Sequence, residues 1–575
     1  MSAPSKVAAK PAGAAKDSQC AEESGPPDSP AFILALDVGT TCVRSFVLDE
    51  QCEVRGSAVD AVELLNPQPG YFEIEPESLW RKIVGVITQA VKNAQLTPPD
   101  ITCLTISTQR CTFLTWDHRS GEYYHNFITW KDLRADELVD QWNASWTKSS
   151  MNWFSYALFL LTRQSRFLAG SVLQLMNGQV TPRLLFEIMN NKKLKQALMQ
   201  KKARVELLDS WILHKLRTGS SRDKDVEHIT DVTSSTATGL YDPFTLSWSP
   251  LISWLFGINV SWLYPPSGSI CIHLLPLQSK ILPRVVDNGY KGFGHVHPTA
   301  FGPDWANTEI PIAASLSDQT AAIWGSQCFQ KNDVKVTMGT GAFLNLVTGD
   351  RCQAVISGMY PLVAWQFKKP TRQQGAVYCI EGASHDFGTV VTWAQSCELF
   401  DSPANTSDIA QSVPDTNDVF FMPAFSGLGP PVNDYRSASG FIGLTPSTTK
   451  AHMVRALLES IVFRLVQLIE AAEKETSQKL HMIRVDGGVS RNDFVCQFLA
   501  DLSRLRVERA DNAESSIMGA TFMAGINLGI WRDVNDLKRF RKVARVFEPR
   551  PKEYETIANR MDKWSRTIAR FSDWY

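Results

Sequence analysis

The chain of 575 residues predicts an α/β protein built as two lobes. Three observations carry that prediction. A strand, a Gly-Thr turn and a second strand open the ordered part of the chain at Phe32–Asp49. A unit of the same design recurs roughly half the chain later, at Val334–Val347. A strand at Ile483–Asp486 then enters a Gly487-Gly488 turn and leads into a helix from Asp493 to Arg504. At about 100–200 residues per compact unit, the length suits two large lobes. The hinge between them is expected near Ile312–Ile323.

The elements follow in order. Of the first 30 residues 19 are Ala, Pro, Ser or Gly, too little apolar surface to offset ordering entropy, so residues 1–30 read as a disordered tail. The first lobe is assigned residues 31–314, the second 315–550, and a C-terminal helix 551–575. The run Phe32–Leu36 is nearly continuously apolar, as in a strand covered on both faces. Two uncharged stretches, Ser149–Thr162 and Pro243–Ser279, read as buried or packed surface, with peripheral membrane or partner contact as the lesser alternative. The first is shorter than the ~20 residues of a membrane span, and prolines interrupt the second. Val454, Leu457, Leu458, Ile461, Val462, Leu465, Val466 and Ile469 repeat at helical spacing. Thr448 or Thr449 would cap that helix, and Glu470 and Lys474 would pair across one turn near its end.

Composition narrows the function. Hydrophobic residues make up 44% and charged residues 20%, with 58 basic side chains against 59 acidic ones. Such a balance argues against a whole-protein electrostatic grip on nucleic acid or anionic membrane. No integral membrane segment is expected. The 11 cysteines are scattered without a CxxC pair, which fits free thiols and a cytoplasmic location. Cys271-x-His273 and His295-x-His297 read as loop histidines rather than a metal site. Homo-oligomerisation is left open.

The chemistry lies in the turns. Several backbone N–H donors must converge on a phosphate, which requires Gly and small hydroxyl residues. Asp37-Val38-Gly39-Thr40-Thr41 and Met338-Gly339-Thr340-Gly341 both qualify, and Asp37 adds a carboxylate able to hold Mg²⁺. An ordinary hairpin with glycine at positive φ is the other reading of each turn. No Gly-x4-Gly-Lys-Ser/Thr occurs, so this is not a P-loop enzyme. At the hinge, Ser315-Leu316-Ser317-Asp318-Gln319 sets one carboxylate among small residues. Asp318 is either the acceptor for an attacking hydroxyl's proton or a helix N-cap.

Together these turns resemble the actin-type ATPase core shared with hexokinases and sugar kinases. In detail the chain resembles the FGGY carbohydrate kinases and, within them, the glycerol kinases, from about Phe32 to about Phe547. Gly70-Tyr71-Phe72-Glu73-Ile74-Glu75-Pro76, Ser107-Thr108-Gln109-Arg110, Asp209-Ser210-Trp211, Thr230-Asp231, Asp318-Gln319, Glu381-Gly382-Ala383 and Val485-Asp486-Gly487-Gly488 all look like family segments. So does Ser439-x-Phe441-x-Gly443-Leu444 with the following His452-Met453-x-x-Ala456-Leu457-Leu458-Glu459.

The resemblance implies a two-lobed actin/hexokinase-type (RNase H-like) fold with a central cleft, and ATP-dependent phosphorylation of glycerol to sn-glycerol 3-phosphate. It implies ATP held by Thr40, Thr41, Cys42, Arg44, Gly339, Thr340, Gly388, Thr392, Gly488 and Asn492, and Mg²⁺ organised by Asp37 with Asp318. It makes Asp318 the catalytic base, acting late, because an ordinary Asp at ~3.9 cannot deprotonate a free alcohol. Arg110, Cys111, Trp130, Asp318, Gln319 and Phe343 match substrate-facing positions.

The chain also departs from the family. Cys111 stands where a Glu contacts glycerol, and no Tyr lies near Val180–Phe186. Loss of that carboxylate implies a weaker hold on glycerol and a missing negative charge beside Arg110; Cys111→Glu should lower the glycerol KM, or hurt as an unpaired buried charge if the pocket is rebuilt for a less polar polyol. The chain thus resembles a divergent animal glycerol-kinase-like branch more than the standard enzymes. Two other functions stay open: a catalytically weak, ATP-binding pseudokinase scaffold, and a kinase for another small polyol or sugar.

Overall fold

The computed structural model describes residues 30–219, 226–250, 252, 281–289, 292–306, 308–367, 375–511 and 514–575. Two large sheets organise them. The first is six-stranded, in the order His295–Val296, Ile310–Ser317, Ile101–Thr108, Phe32–Val38, Cys42–Leu48, Val54–Ala61. The second is seven-stranded, in the order Tyr360–Gln366, Ala376–Ser384, Ala342–Gly349, Val334–Met338, Met482–Asp486, Arg506–Ala510, Val543–Phe547. Each contains a hairpin whose leading strand also has a parallel neighbour, Phe32–Leu48 in the first and Val334–Gly349 in the second. The expected strand–turn–strand units are the same device used twice. Both turns leave the carboxyl ends of parallel strands, where open α/β sheets bind their ligands.

The apolar run at Phe32–Leu36 is covered on both faces, as its composition requires. Leu34 and Leu36 pack with Leu79, Ile83, Val86 and Ile87 of the helix Pro76–Asn93. Ile33 and Ala35 face the other way, toward Ala520 and Ile517 of the helix Ser515–Leu528. The short helix Asp318–Gly325 crosses that second helix so closely that a Cβ on Gly519 would lie 1.7 Å from the Ala321 carbonyl oxygen. Glycine is therefore required where the hinge helix packs.

The long helix spans Lys450–Thr476, and Thr449 caps it in a reciprocal arrangement with His452. Glu470 and Lys474 form no ion pair there. Burial instead pushes the Glu470 carboxyl up, with Glu473 and Asp562 adding to the rise. The C-terminal helix Pro551–Phe571 buries Ile557, Met561 and Trp564 in the second lobe's core.

The reading of Ser149–Thr162 as buried or packed surface is corrected. The run lies in a helix, Trp146–Thr162, none of whose residues is buried. Two of its polar residues face the protein: Ser155 lies against Gly170, and Asn152 Nδ2 donates to the Leu173 carbonyl at 3.4 Å. Residues 1–29, most of Pro243–Ser279, and both Cys271 and His273 lie outside the described residues. His295 is exposed on an edge strand, and the ring of His297 meets the Thr299 hydroxyl at 2.9 Å.

Candidate active site

The two Gly-Thr turns are built for close approach, not for left-handed backbone. Neither Gly39 nor Gly339 has positive φ. Gly39 N donates to the Cys42 carbonyl and Gly339 N to the Gly341 carbonyl, each at 3.0 Å. The amides of Thr40, Thr41, Thr340 and Gly341 have no hydrogen-bond partner among the described residues. Unspent N–H groups in such turns are anion-binding donors. Gly388 N donates to the Gly339 carbonyl at 3.0 Å, and a Cβ on Gly388 would lie 2.5 Å from that same oxygen. Thr392 is one turn further along the helix that Gly388 begins. Gly487 has a φ of 89° and seats against the Met338 carbonyl. The space beside Gly488 is open. Asn492 is occupied as the cap of the helix Asp493–Ser503, accepting from Val495 N at 3.1 Å and donating to Thr406 Oγ1 at 2.9 Å.

The hydroxyl of Thr40 is already engaged. It donates to Gln109 Oε1 at 2.8 Å and accepts from Trp130 Nε1 at 2.9 Å. Any phosphate contact by Thr40 therefore falls to its backbone amide. Arg44 reaches Asp37 with one guanidinium nitrogen and Glu514 with another. Ser107 Oγ donates to Asp37 Oδ1 at 2.7 Å. Cys42 begins the returning strand of the same hairpin.

Asp318 does not cap its helix. Ser317 does, accepting from Thr320 N. Asp318 Oδ1 takes only the adjacent Gln319 N–H, at 2.7 Å. Burial pushes its carboxyl up to about 6, opposed by the Arg110 charge and reinforced by the Asp37 charge. A carboxylate tuned toward neutrality and free of a capping duty has the properties of a general base. A network of buried polar groups holds this corner. Thr233 Oγ1 accepts from Ser317 N at 2.8 Å. Asp231 caps the short helix containing Thr233, and Asp209 accepts from Thr230 Oγ1 at 2.6 Å and Asp231 N at 3.0 Å.

Arg110 is not short of a negative charge. Its Nη2 lies 2.5 and 2.6 Å from the two oxygens of Glu381, which comes from the opposite lobe. Glu381 also accepts from Tyr360 Oη at 2.8 Å and Asn345 Nδ2 at 2.7 Å. Glu381 thus supplies a negative charge beside Arg110 that Cys111 does not. Cys111, at a φ of 59°, donates its thiol to the Ala237 carbonyl at 3.2 Å. Burial pushes that thiol up to about 11. Arg183 lies fully buried beneath this turn, its guanidinium donating to the carbonyls of Cys111 and Gly178 at 2.8 Å. Trp130 and Phe343 meet edge to face, ring centroids 6.0 Å apart, one from each lobe. Gln319 Oε1 accepts from Lys335 Nζ at 3.3 Å. Lys335 is fully buried and lies 3.8 Å from Asp486.

The structure therefore brings the phosphate turns, Asp37, Arg110, Trp130, Asp318, Gln319 and Phe343 to one cleft. Glu381, Lys335, Glu514 and Arg183 had no role assigned from sequence. No cluster of three metal-ligating side chains occurs among the described residues. Two hard carboxylates, Asp37 and Asp318, beside unspent amides do suit Mg²⁺, which keeps most of its water and needs only one or two protein oxygens.

Residues 32–325 match the N-terminal domain, and residues 334–528 the C-terminal domain, of the FGGY family of carbohydrate kinases. The chain belongs to that family, and its two-domain α/β fold is the family's. It is similar to glycerol kinase 5 of Bos taurus, 39% identical over 544 residues that span 95% of this chain and 96% of the relative. Glycerol kinase 5 of Homo sapiens is 38% identical over 551 residues, 96% of this chain and 97% of the relative. The crystal structure of Plasmodium falciparum glycerol kinase with ADP matches with a TM-score of 0.80 at 26% identity, covering 94% of this chain and 98% of that one. A ligand-bound xylulose kinase of Lactobacillus acidophilus shares the fold, with a TM-score of 0.74 at 20% identity, covering 94% and 100%.

Proposed function

We propose that this chain transfers the γ-phosphoryl group of ATP to a small polyol, glycerol first among them, giving sn-glycerol 3-phosphate. The observation that carries this reading is Asp318: a carboxylate pushed up to about 6, relieved of capping by Ser317, between the phosphate turns and Arg110. Asp318 would accept the hydroxyl proton as the oxygen–phosphorus bond forms. Arg110 and Gln319 would hold polyol hydroxyls, while Trp130 and Phe343 cover its carbons and exclude water. The amides of Thr40, Thr41, Thr340 and Gly341 would hold phosphate oxygens, with Thr392, Gly488 and Asn492 toward the nucleotide. Mg²⁺, held by Asp37 with Asp318, supplies charge neutralisation for the phosphates. Scattered cysteines without a CxxC pair support a cytosolic setting.

A second reading is an ATP-binding scaffold with little turnover. It is favoured by Arg44, closed onto Asp37 and Glu514, and by Arg110, closed onto Glu381. Release of ADP measured over a panel of polyols and sugars, for the natural chain and Asp318→Asn, separates the two. Turnover that rises with glycerol and collapses in the variant supports the kinase. ATP binding without polyol-dependent ADP release overturns it.

A further inference from the structure

The helix Trp146–Thr162 is turned inside out for a protein surface facing water. Trp146 is 85% exposed, Trp153 75%, Phe154 66% and Leu161 81%, with Leu160 exposed beside them. At 100° per residue these five fall on one side of the helix. Ser155 and Asn152 face inward, onto Gly170 and Leu173. A surface helix normally shows the reverse pattern, and a contiguous exposed apolar stripe marks an interaction site.

The charge around the stripe identifies its partner. Between Asp140 and Glu187 the chain has no acidic residue, and its charged residues are Lys148, Arg163, Arg166 and Arg183. Arg183 is buried under the substrate turn, and Arg166 is paired with Asp242 at 2.7 Å. Lys148, near the start of the helix, is half-buried on the side of Ser155, and Arg163 caps its C-terminal end. Arg163 is exposed and its guanidinium lies over the Phe159 ring, 5.8 Å from the centroid. Pairing with a second copy through this helix would set like charges together, since Asp242, the acid beside Arg166, is already paired with it. An anionic lipid surface answers them directly, and Trp, Phe and Leu are the side chains that enter the headgroup boundary. At 17 residues the helix is about 25 Å long, and no helix among the described residues is long and apolar enough to cross a membrane.

We propose that this helix lies flat on anionic membrane, with Trp153, Phe154, Leu160 and Leu161 entering the interface and Arg163 meeting acidic headgroups. The near-neutral net charge is no obstacle, because the attraction is confined to this patch. The full chain should co-sediment with phosphatidylcholine vesicles containing phosphatidylserine, less with phosphatidylcholine alone, and less in high salt. Trp153→Ser with Leu161→Ser should lower binding by about tenfold or more, while melting temperature and ADP release stay unchanged. Arg163→Glu should remove the preference for phosphatidylserine. Failure of the natural chain to sediment with either vesicle overturns the proposal, as does equal binding to both. So does a dimer in solution that Trp153→Ser with Leu161→Ser converts to monomer without any vesicle binding.

Discussion

Arg110 and Glu381 are held together across the cleft, one from each lobe, with both carboxylate oxygens within 2.6 Å of one guanidinium nitrogen. Arg110 is thereby fixed for a substrate hydroxyl, and the pair links the lobes at the reaction centre. Removing one member of a buried pair leaves the other uncompensated, which costs about 3–5 kcal/mol. Glu381→Gln should therefore lower the melting temperature and raise the KM for polyol more than that for ATP. Unchanged melting and unchanged polyol KM would show that the contact does not organise the site.

Cys111→Glu should harm the protein, contrary to what the family pattern implies. The thiol faces the Ala237 carbonyl on a backbone of positive φ. A carboxylate there would meet a carbonyl oxygen and stand near Glu381 and Asp318, while Arg110 and Arg183, the charges acting most on the thiol, are already bonded to Glu381 and to the carbonyls of Cys111 and Gly178. Burying an unpaired charge is costly. A raised glycerol KM and a lowered melting temperature are expected. A fall in KM would mean that the side chain swings toward the polyol.

The difference between those two outlooks shows what was legible in the sequence. The phosphate turns were, because glycine spacing and flanking apolar runs are local. Asp318 was, because its setting among small residues is contiguous. The partners were not. Glu381 is 271 residues from Arg110, and Glu514 is 470 from Arg44. No periodicity reports such meetings. Lys335 reads as an ordinary strand residue until the fold seats it, fully buried, against Gln319 and near Asp486. The Trp146–Thr162 helix failed for another reason. An uncharged run says how apolar a segment is, and not which side meets solvent.

Asp318→Asn should cut kcat by about 10²–10⁴-fold, the usual worth of general-base help, with ATP binding near normal. In the natural chain the base must be ionised, and its carboxyl is pushed up to about 6 by burial. The kcat profile should fall as pH drops through about 6. A flat profile from pH 5 to about 8 would remove Asp318 from the proton path.

Gly388→Ala should weaken ATP use while sparing polyol binding. The added Cβ would lie 2.5 Å from the Gly339 carbonyl oxygen, closer than atoms approach without a shift of the turn, and such overpacking costs about 1–3 kcal/mol. A raised KM for ATP with an unchanged polyol KM is the expected result. Equal change in both would locate the damage outside the nucleotide side.

Asp209 and Asp231 give stability a pH dependence of their own. Both are fully buried, and Asp231 N donates to Asp209 Oδ2 at 3.0 Å. Burial, with the Asp231 charge beside it, pushes the Asp209 carboxyl up to about 8, and burial raises Asp231 as well. The folded state therefore holds a proton that the unfolded chain releases near ~3.9. Stability from that proton is complete below the unfolded value and is lost as pH rises toward about 8, after which the curve flattens. Melting temperature should fall steadily over that window. Asp209→Asn keeps the Oδ acceptor for Thr230 Oγ1 but removes the charge, so it should flatten the slope. The network supports Ser317 through Thr233, so the wild-type loss should reach the site as a falling kcat at the alkaline end. An Asp209→Asn protein whose melting temperature still declines with the same slope would show that the two aspartates share no proton.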